Sequence, residues 1–340
     1  MILVTGGAGY IGCVLVGELL AKGESVRLYD KLYFGDAGLN KYREKVDMVQ
    51  GDLRYFDPKA LDGIDSVIHL AGLSNDPTAE FNPKANHEMN TVATGVLAKA
   101  CKERGIKRFT FASTCSIYDR GLFAEDILYN EDSEVAPRAA YAVSNYEAEK
   151  ILLEMCDEKF CPVILRQGTV YGFSPRMRYD LVVNTFLRDA ITKGALTVHC
   201  GGEMWRPLVD VSDVAKAHIC CVEAPEEKVR GQIFNLSFKN YRILELAHWV
   251  REALKDRLEL EINVDYSHYK ARSYRVCAQK IETVLGFKPI VPVKESVENM
   301  IQKIYEYGYT DFLHPRYYNI EWMTLLYQME QTLAKIGSVF

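Results

Sequence analysis

The sequence predicts an α/β fold, a doubly wound parallel sheet with a smaller mixed α/β lobe, and three observations carry the reading of the sheet. Short apolar runs of buried-strand type alternate with stretches of helical apolar spacing. The first run, Ile2 to Val4, breaks at once into Gly6, Gly7, Gly9 and Gly12 before a helical pattern starts at Tyr10. A second run, Ser25 to Asp30, ends in an acid about twenty residues beyond those glycines.

Strand, glycine turn, helix, strand and acid, in that order, make a dinucleotide-binding unit of Rossmann type. Without a Cβ, Gly6 can take the tight turn, Gly9 lets a pyrophosphate approach the backbone, and Gly12 allows close packing of helix on strand. The helix N-terminus faces the anion. Asp30 would accept hydrogen bonds from the adenosine ribose and repel a 2′-phosphate, so the expected cofactor is NAD rather than NADP.

Further strands are expected at Val46 to Gln50, with Asp52 just past its end, and at Asp65 to Leu70, running into the small-residue loop Ala71-Gly72. Asn82 to Arg104 reads as a long helix with Val92, Val96, Leu97 and Ala100 on roughly one face, ended by Gly105. Lys107 to Tyr118 is a strand that runs out into hydroxyl residues, which then lie at the carboxyl edge of the sheet. A polar loop with Glu131, Asp132, Glu134 and Pro137 precedes a helix from Tyr141 to about Cys156, on which Tyr141 and Asn145 share a face. Pro162 to Arg166 and Ile233 to Leu236 complete the strands, and helices are expected at about 181–193, Ala215 to Cys221, Leu244 to Leu254 and Val276 to Gly286. The expected division is 1–166 plus about 207–236 for the nucleotide domain, about 167–206 plus 237–308 for the substrate lobe, and 309–340 as a C-terminal helical extension.

Composition narrows the function classes. The 340 residues suffice for a large core, and 26% charged with 48% hydrophobic residues is ordinary for a globular protein. A net charge of −5 with scattered basic residues gives no electrostatic footprint for nucleic acid or an anionic membrane. The first strand starts at Met1, leaving no room for a leader, and no apolar stretch is long enough to span a bilayer, so a cytoplasmic enzyme is expected. The nine cysteines contain no Cys-x-x-Cys pair and several lie in apolar patterns, so they read as reduced core residues. The seven histidines lack the spacing and acidic partners of a metal site, and no metal is expected.

Thr5 to Gly12, Asp30, Asp52, His69-Leu-Ala-Gly72, Phe111 to Tyr118 and the Tyr141 helix together resemble the extended short-chain dehydrogenase/reductase family, in its nucleotide-sugar epimerase and dehydratase branch. The resemblance covers about residues 1–305. It implies NAD contacts from Gly6, Gly9, Tyr10, Ile11, Gly12, Asp30, Asp52, Leu53, Leu70, Ala71, Gly72, Asn90, Ser113, Tyr141 and Asn145. It also implies Tyr141 as general acid/base and Thr114 as the hydroxyl that polarises the substrate oxygen.

One departure stands out. Where the family has a lysine four residues after the tyrosine, this chain has Asn145, which can keep a ribose hydrogen bond but supplies no charge to lower the phenol's pKa. Cys115 and Ser116 stand where the 4,6-dehydratases of the family carry an Asp-Glu pair, which favours epimerisation, or a simple oxidation or reduction, over loss of water. Gln167 to Pro175 resembles the loop beneath the nicotinamide. Arg178, Asn184, Arg206 and Arg272, the last within Ala271 to Val276, are the implied contacts to a sugar and its diphosphate, with Asp213 as a helix N-terminal acid.

The expected activity is therefore an NAD-dependent nucleotide-sugar epimerase that passes through a 4-keto sugar and recycles its NAD, acting on a nucleoside-diphosphate sugar as a homodimer. An NAD-dependent nucleotide-sugar oxidoreductase and a redox-inactive NAD-binding regulator or scaffold are the alternatives. Ile320 to Ile336 has helical apolar spacing and is expected to pack on the small lobe or a second subunit.

Overall fold

The computed structural model describes residues 1–119, 127–267 and 272–338; Ala271 and the last two residues of the tail lie outside the described residues. Strands β1 (Ile2–Thr5), β2 (Val26–Asp30), β3 (Val46–Gln50), β4 (Ser66–His69) and β5 (Arg108–Thr114) join Cys161–Gln167 and Ile233–Leu236 in one sheet. Its seven strands are all parallel, in the order Ile233–Leu236, Cys161–Gln167, β5, β4, β1, β2, β3. Chain order reverses between β1 and β4, which opens a crevice at their carboxyl ends.

Every residue of β1 and β4 is buried, because helices cover both faces of the sheet. On one side α1 (Tyr10–Ala21) packs beside the helix Val211–Glu223, and Leu15, Val16, Ile68 and Ala215 share a core there. On the other, α2 (Asp76–Phe81), α3 (Pro83–His87), α4 (Ala93–Glu103) and α5 (Ala140–Glu154) follow one another in the chain. Leu97, Phe109, Ala148 and Phe160 form the core beneath α4 and α5.

The long helix expected at Asn82 to Arg104 is divided. Asn82 caps α3 through the Ala85 N–H, and a π-helical turn at Glu88–Val92 separates α3 from α4. The extra residue in such a turn rotates the next helical face about the axis. Leu97 and Ala100 are buried as expected, but Val92 and Val96 are 48% and 42% exposed. Val276 to Gly286 likewise begins as the short strand Arg275–Val276, and its helix runs only over Gln279–Leu285.

Two smaller sheets build the second lobe. Trp205–Asp210 pairs with Thr169–Tyr171 in parallel and with Lys239–Arg242 antiparallel, and Ala195–Val198 pairs with Glu261–Val264. Residues 207–210 therefore stand in the three-stranded sheet rather than in the main one, and the chain rejoins the nucleotide half only with the helix Val211–Glu223. That helix is capped by Asp210, which accepts from the Ser212 N–H, while Asp213 accepts from the backbone N–H groups of Ile290 and Val291. Asp213 stands in the first turn of that helix, the N-terminal acid expected from the sequence.

The lobe core gathers Phe186 and Leu187 of α6 (Val182–Lys193) with Leu208, Leu246, Val250, Val297 and Ile301. Phe312, Tyr317 and Tyr318 from the tail join it. From Asn319 onward the tail leaves this lobe, and the helix Asn319–Ile336 runs against α2, with Phe81 and Tyr327 meeting edge to face at 5.7 Å.

Candidate active site

The carboxyl edge of the main sheet and the lobe enclose a cavity of about 1010 Å³. That is the upper end of the roughly 300–1,000 Å³ usual for one small ligand, and it suits a site shared by two.

Its nucleotide side is the glycine turn. Gly6 sits at φ +71, and a Cβ there would lie 2.8 Å from the Cα of Ala71, so only glycine fits between β1 and the loop after β4. A Cβ on Gly12 would collide with the Gly6 carbonyl. Gly9, at the N-cap of α1, faces the cavity with only the Gly6 carbonyl near. Asp30 lines the same cavity and accepts from the Ala8 and Leu32 N–H groups at 3.0 and 2.8 Å. Burial raises its pKa, and those two donors and Arg176 work against that. This cradle fits a dinucleotide: space above glycine backbone, a helix N-terminus, and an oriented carboxylate beyond it.

Tyr10, Ile11, Gly12, Leu53, Leu70, Ala71, Gly72 and Ser113 also line the cavity. Three polar residues expected beside them do not. The Asp52 carboxylate is held by Arg54 and Lys31, whose hydrogen bonds outweigh burial and depress its pKa. Asn90, placed inward by the π turn, accepts from the Leu73 N–H and donates to the Leu73 carbonyl. It supports the Gly72-Leu73 loop from behind. Asn145 is 4% exposed, and its amide donates to the Tyr141 carbonyl at 2.8 Å, the intrahelical partner that a side chain four residues on can reach. It brings no charge to the phenol.

At the centre, Tyr141 and Thr114 both line the cavity. Thr114 ends β5, accepts from the Ser116 N–H at 3.1 Å and donates to the Ser116 hydroxyl at 3.0 Å. Tyr141, near the start of α5, has its pKa pushed up to about 12. Burial is the main cause and Asp76 adds to it, while Arg178 and Arg272 pull the other way. Cys115 is fully buried and donates to the Arg166 carbonyl at 3.0 Å, and burial raises its pKa, so it is a packed thiol.

Arg178, Arg206 and Arg272 line the cavity as well, Arg178 over the Tyr10 ring at 6.0 Å and Arg206 joined to Arg272 through the Arg272 backbone carbonyl. Arg178 is held by Asp180 at 2.8 Å, and Arg206 donates to the backbone carbonyls of Trp205 and Arg272. Burial lowers the pKa of Arg206, as befits a guanidinium that no carboxylate touches in a hydrogen bond or ion pair among the described residues. Arg275 instead lies over the Trp205 ring, a packing role. Asn184 is removed from the substrate set: it is fully buried, donates to the Tyr10 hydroxyl and the Arg178 carbonyl, and accepts from the Gly172 N–H.

Two groups escaped sequence reasoning, and a third, Arg176, stands beside Arg178 in the stretch that the sequence offered as either ligand contacts or solvated surface arginines. Asp76 lines the cavity, pairs with Arg272 at 2.6 Å through Oδ2, and leaves Oδ1 buried without a partner. It is delivered by Asn75, whose φ of 76 and ψ of 154 lie in a region that costs a non-glycine residue about 1–3 kcal/mol. The signal was the helix start Asn75-Asp76-Pro77. Glu149 and Arg166, 1% and 4% exposed, pair at 2.7 Å beneath the site, and Ser113 donates to Glu149. Arg176 is the third, 8% exposed and stacked 3.7 Å from the Phe34 ring.

A family model described as the NAD dependent epimerase/dehydratase family matches residues 2–237. The chain belongs to that family. NAD is its cofactor. Among relatives of the epimerase/dehydratase family, a UDP-glucose 4-epimerase of Halalkalibacterium halodurans is 28% identical over 94% of this chain and 98% of its own. A UDP-N-acetyl-alpha-D-glucosaminuronate decarboxylase of Bacillus cytotoxicus is 30% identical over 88% of this chain and 96% of its own. The crystal structure of a UDP-glucuronic acid 4-epimerase from Bacillus cereus, in complex with UDP-glucuronic acid and NAD, shares the fold, with a TM-score of 0.76 at 23% identity over 90% of this chain and 99% of that one.

Proposed function

We propose that this protein is an NAD-dependent nucleotide-sugar epimerase that inverts a sugar carbon through a transient 4-keto sugar. The observation that carries this is the shared cavity: the glycine cradle, Tyr141 with Thr114, and Arg206 with Arg272 all line it. Bound NAD supplies the acceptor, and later the donor, of one hydride. Tyr141 takes the hydroxyl proton from the reacting carbon and returns it, and Thr114 holds that oxygen. Arg206 and Arg272 anchor the diphosphate by paired hydrogen bonds, Arg272 exchanging Asp76 for phosphate oxygens. The anchored sugar then turns in the pocket and presents its other face, a task of positioning.

Loss of water is disfavoured by Cys115 and Ser116, since neither is a carboxylic acid and Cys115 is buried. A decarboxylase would share the first oxidation but needs a uronic acid, as the names of several relatives state. The reading includes a homodimer, supported by the exposed Val92 and Val96 beside α5, and a reducing cytoplasmic setting, supported by nine free cysteines. Among the described residues no helix is long and apolar enough to cross a membrane.

Native mass spectrometry with UDP-, GDP-, CDP- and dTDP-sugars identifies the bound nucleotide, and product analysis with the one that binds tests the reaction. An epimer without net NADH supports the reading. Carbon dioxide and a pentose from a uronate would replace it, and binding of NAD without any product, unrelieved by Asn145→Lys, would favour a redox-inactive scaffold.

A further inference from the structure

The helix Asn319–Ile336 reaches three loops with its first turn, those after β2 and β4 and the one that follows the lobe strand Thr169–Tyr171. The Asn319 N–H donates to Asp180 at 3.0 Å, and the Asn319 amide donates to the Ser74 hydroxyl at 2.8 Å. Arg176 donates through Nη2 to Asn319 Oδ1 at 2.7 Å. Trp322 Nε1 donates to the Tyr33 carbonyl at 2.6 Å, in the loop that leaves Asp30. Asn319, Ile320 and Met323 line the same cavity as Asp30 and the glycine turn.

Arg176 is the group that these contacts organise. It lines the cavity, is 8% exposed, lies over the Phe34 ring, and feels the charge of Asp30. Its Nε is buried without a partner. A buried guanidinium donor left unpaired is unfavourable, and an acceptor brought by a ligand relieves it. Asn319, in turn, has its backbone N–H and both ends of its amide engaged, so it holds Arg176 in one orientation.

We propose that the tail from Tyr309 to Ile336 is a strap that closes the adenosine half of the NAD compartment, with Asn319 as the positioning residue that aims Arg176 at a phosphate or ribose oxygen of the dinucleotide. Its base is fixed, because Phe312, Tyr317 and Tyr318 are buried in the lobe. The first turn of its helix is tied to the loops after β2 and β4 by single hydrogen bonds from Trp322 and Asn319. Release of NAD then requires those bonds to open, so the strap governs the dissociation rate of the cofactor. The inference rests on NAD as cofactor and holds for whichever sugar reaction the site performs.

The test is NAD release from the purified holoenzyme, followed as displacement by a fluorescent NAD analogue. Asn319→Ala and Trp322→Phe are each expected to speed release by about tenfold or more, the scale of one hydrogen bond to a charged or buried group. The affinity for nucleotide-sugar is expected to stay at the wild-type value, which a general loosening of the cavity would not allow. Release at the wild-type rate from both folded variants overturns the proposal. If Asn319→Ala does not fold, Trp322→Phe, which keeps a ring in place, decides alone. Thr114→Ala separates this from the sugar chemistry: it is expected to slow turnover while NAD release stays slow.

Discussion

The Arg272 guanidinium lies 2.6 Å from the Asp76 carboxylate inside the cavity that Tyr141 lines. The two charges act on the phenol with opposite sign, Asp76 raising its pKa and Arg272 lowering it. Asp76→Asn removes the anion and leaves the cation. A phenol with less negative charge nearby ionises more easily, so the alkaline limb of the kcat–pH profile should move down by about one pH unit. Profiles of the two proteins over neutral to alkaline pH check this, and coincident limbs would show that Asp76 does not face the phenol.

Asn145 bonds to the Tyr141 carbonyl and adds no charge, so the phenol keeps a pKa pushed up to about 12 before substrate and cofactor are bound. Activity of the wild type should therefore climb through alkaline pH, because the phenolate fraction grows with pH below that value. Asn145→Lys places a cation within a helical turn and should lower the phenol's pKa by about 1–3 units. The expected outcome at neutral pH is a gain in kcat of roughly tenfold or more, read as initial rates across pH.

Thr114 is hydrogen-bonded to Ser116 on its own loop, so its hydroxyl is held before any substrate arrives. Thr114→Ala should lower kcat by about 10²-fold with little change in KM, the pattern of an interaction made mainly in the transition state. Thr114→Ser keeps the oxygen and should recover most of the rate. Steady-state kinetics of the pair distinguish this from a packing effect, which serine would not restore.

Glu149 and Arg166 are both nearly fully buried, and Arg166 also donates to the Tyr118 hydroxyl. Glu149→Leu strands the guanidinium and should destabilise the fold by about 3–5 kcal/mol, whereas Glu149→Leu with Arg166→Met should regain most of that. Urea unfolding of the three proteins checks it. Equal losses in the single and double variants would mean that volume rather than charge is at stake.

The glycine turn and Asp30 were legible because their meaning is local: three glycines, a strand and an acid specify a backbone path without reference to the rest of the chain. Tyr141, Thr114, Arg206 and Arg272 were legible by resemblance, and all four line the cavity. Asp52, Asn90, Asn145 and Asn184 lie in the segments around the cavity, but their side chains are taken up by Arg54, Leu73, Tyr141 and Gly172 respectively. Which neighbour claims a short polar side chain is decided by tertiary contacts that periodicity does not encode. The helical period of Ile320 to Ile336 was plain, yet its partners Ser74 and Tyr33 lie more than two hundred residues away in sequence. Asp76 was missed because it opens α2 behind Asn75, whose backbone is unusual for a non-glycine residue, and that turn decides where the carboxylate points.

The central claim is that a hydride leaves one sugar carbon and returns to the same carbon within a single bound state. The most direct measurement incubates the NAD-loaded enzyme with the nucleotide-sugar it binds, deuterated at C4, and tracks label and configuration by mass spectrometry and NMR. The account predicts an inverted C4 that retains its deuterium, with no net NADH and no solvent hydrogen at that carbon. Deuterium lost to solvent, or found in released NADH, would contradict it.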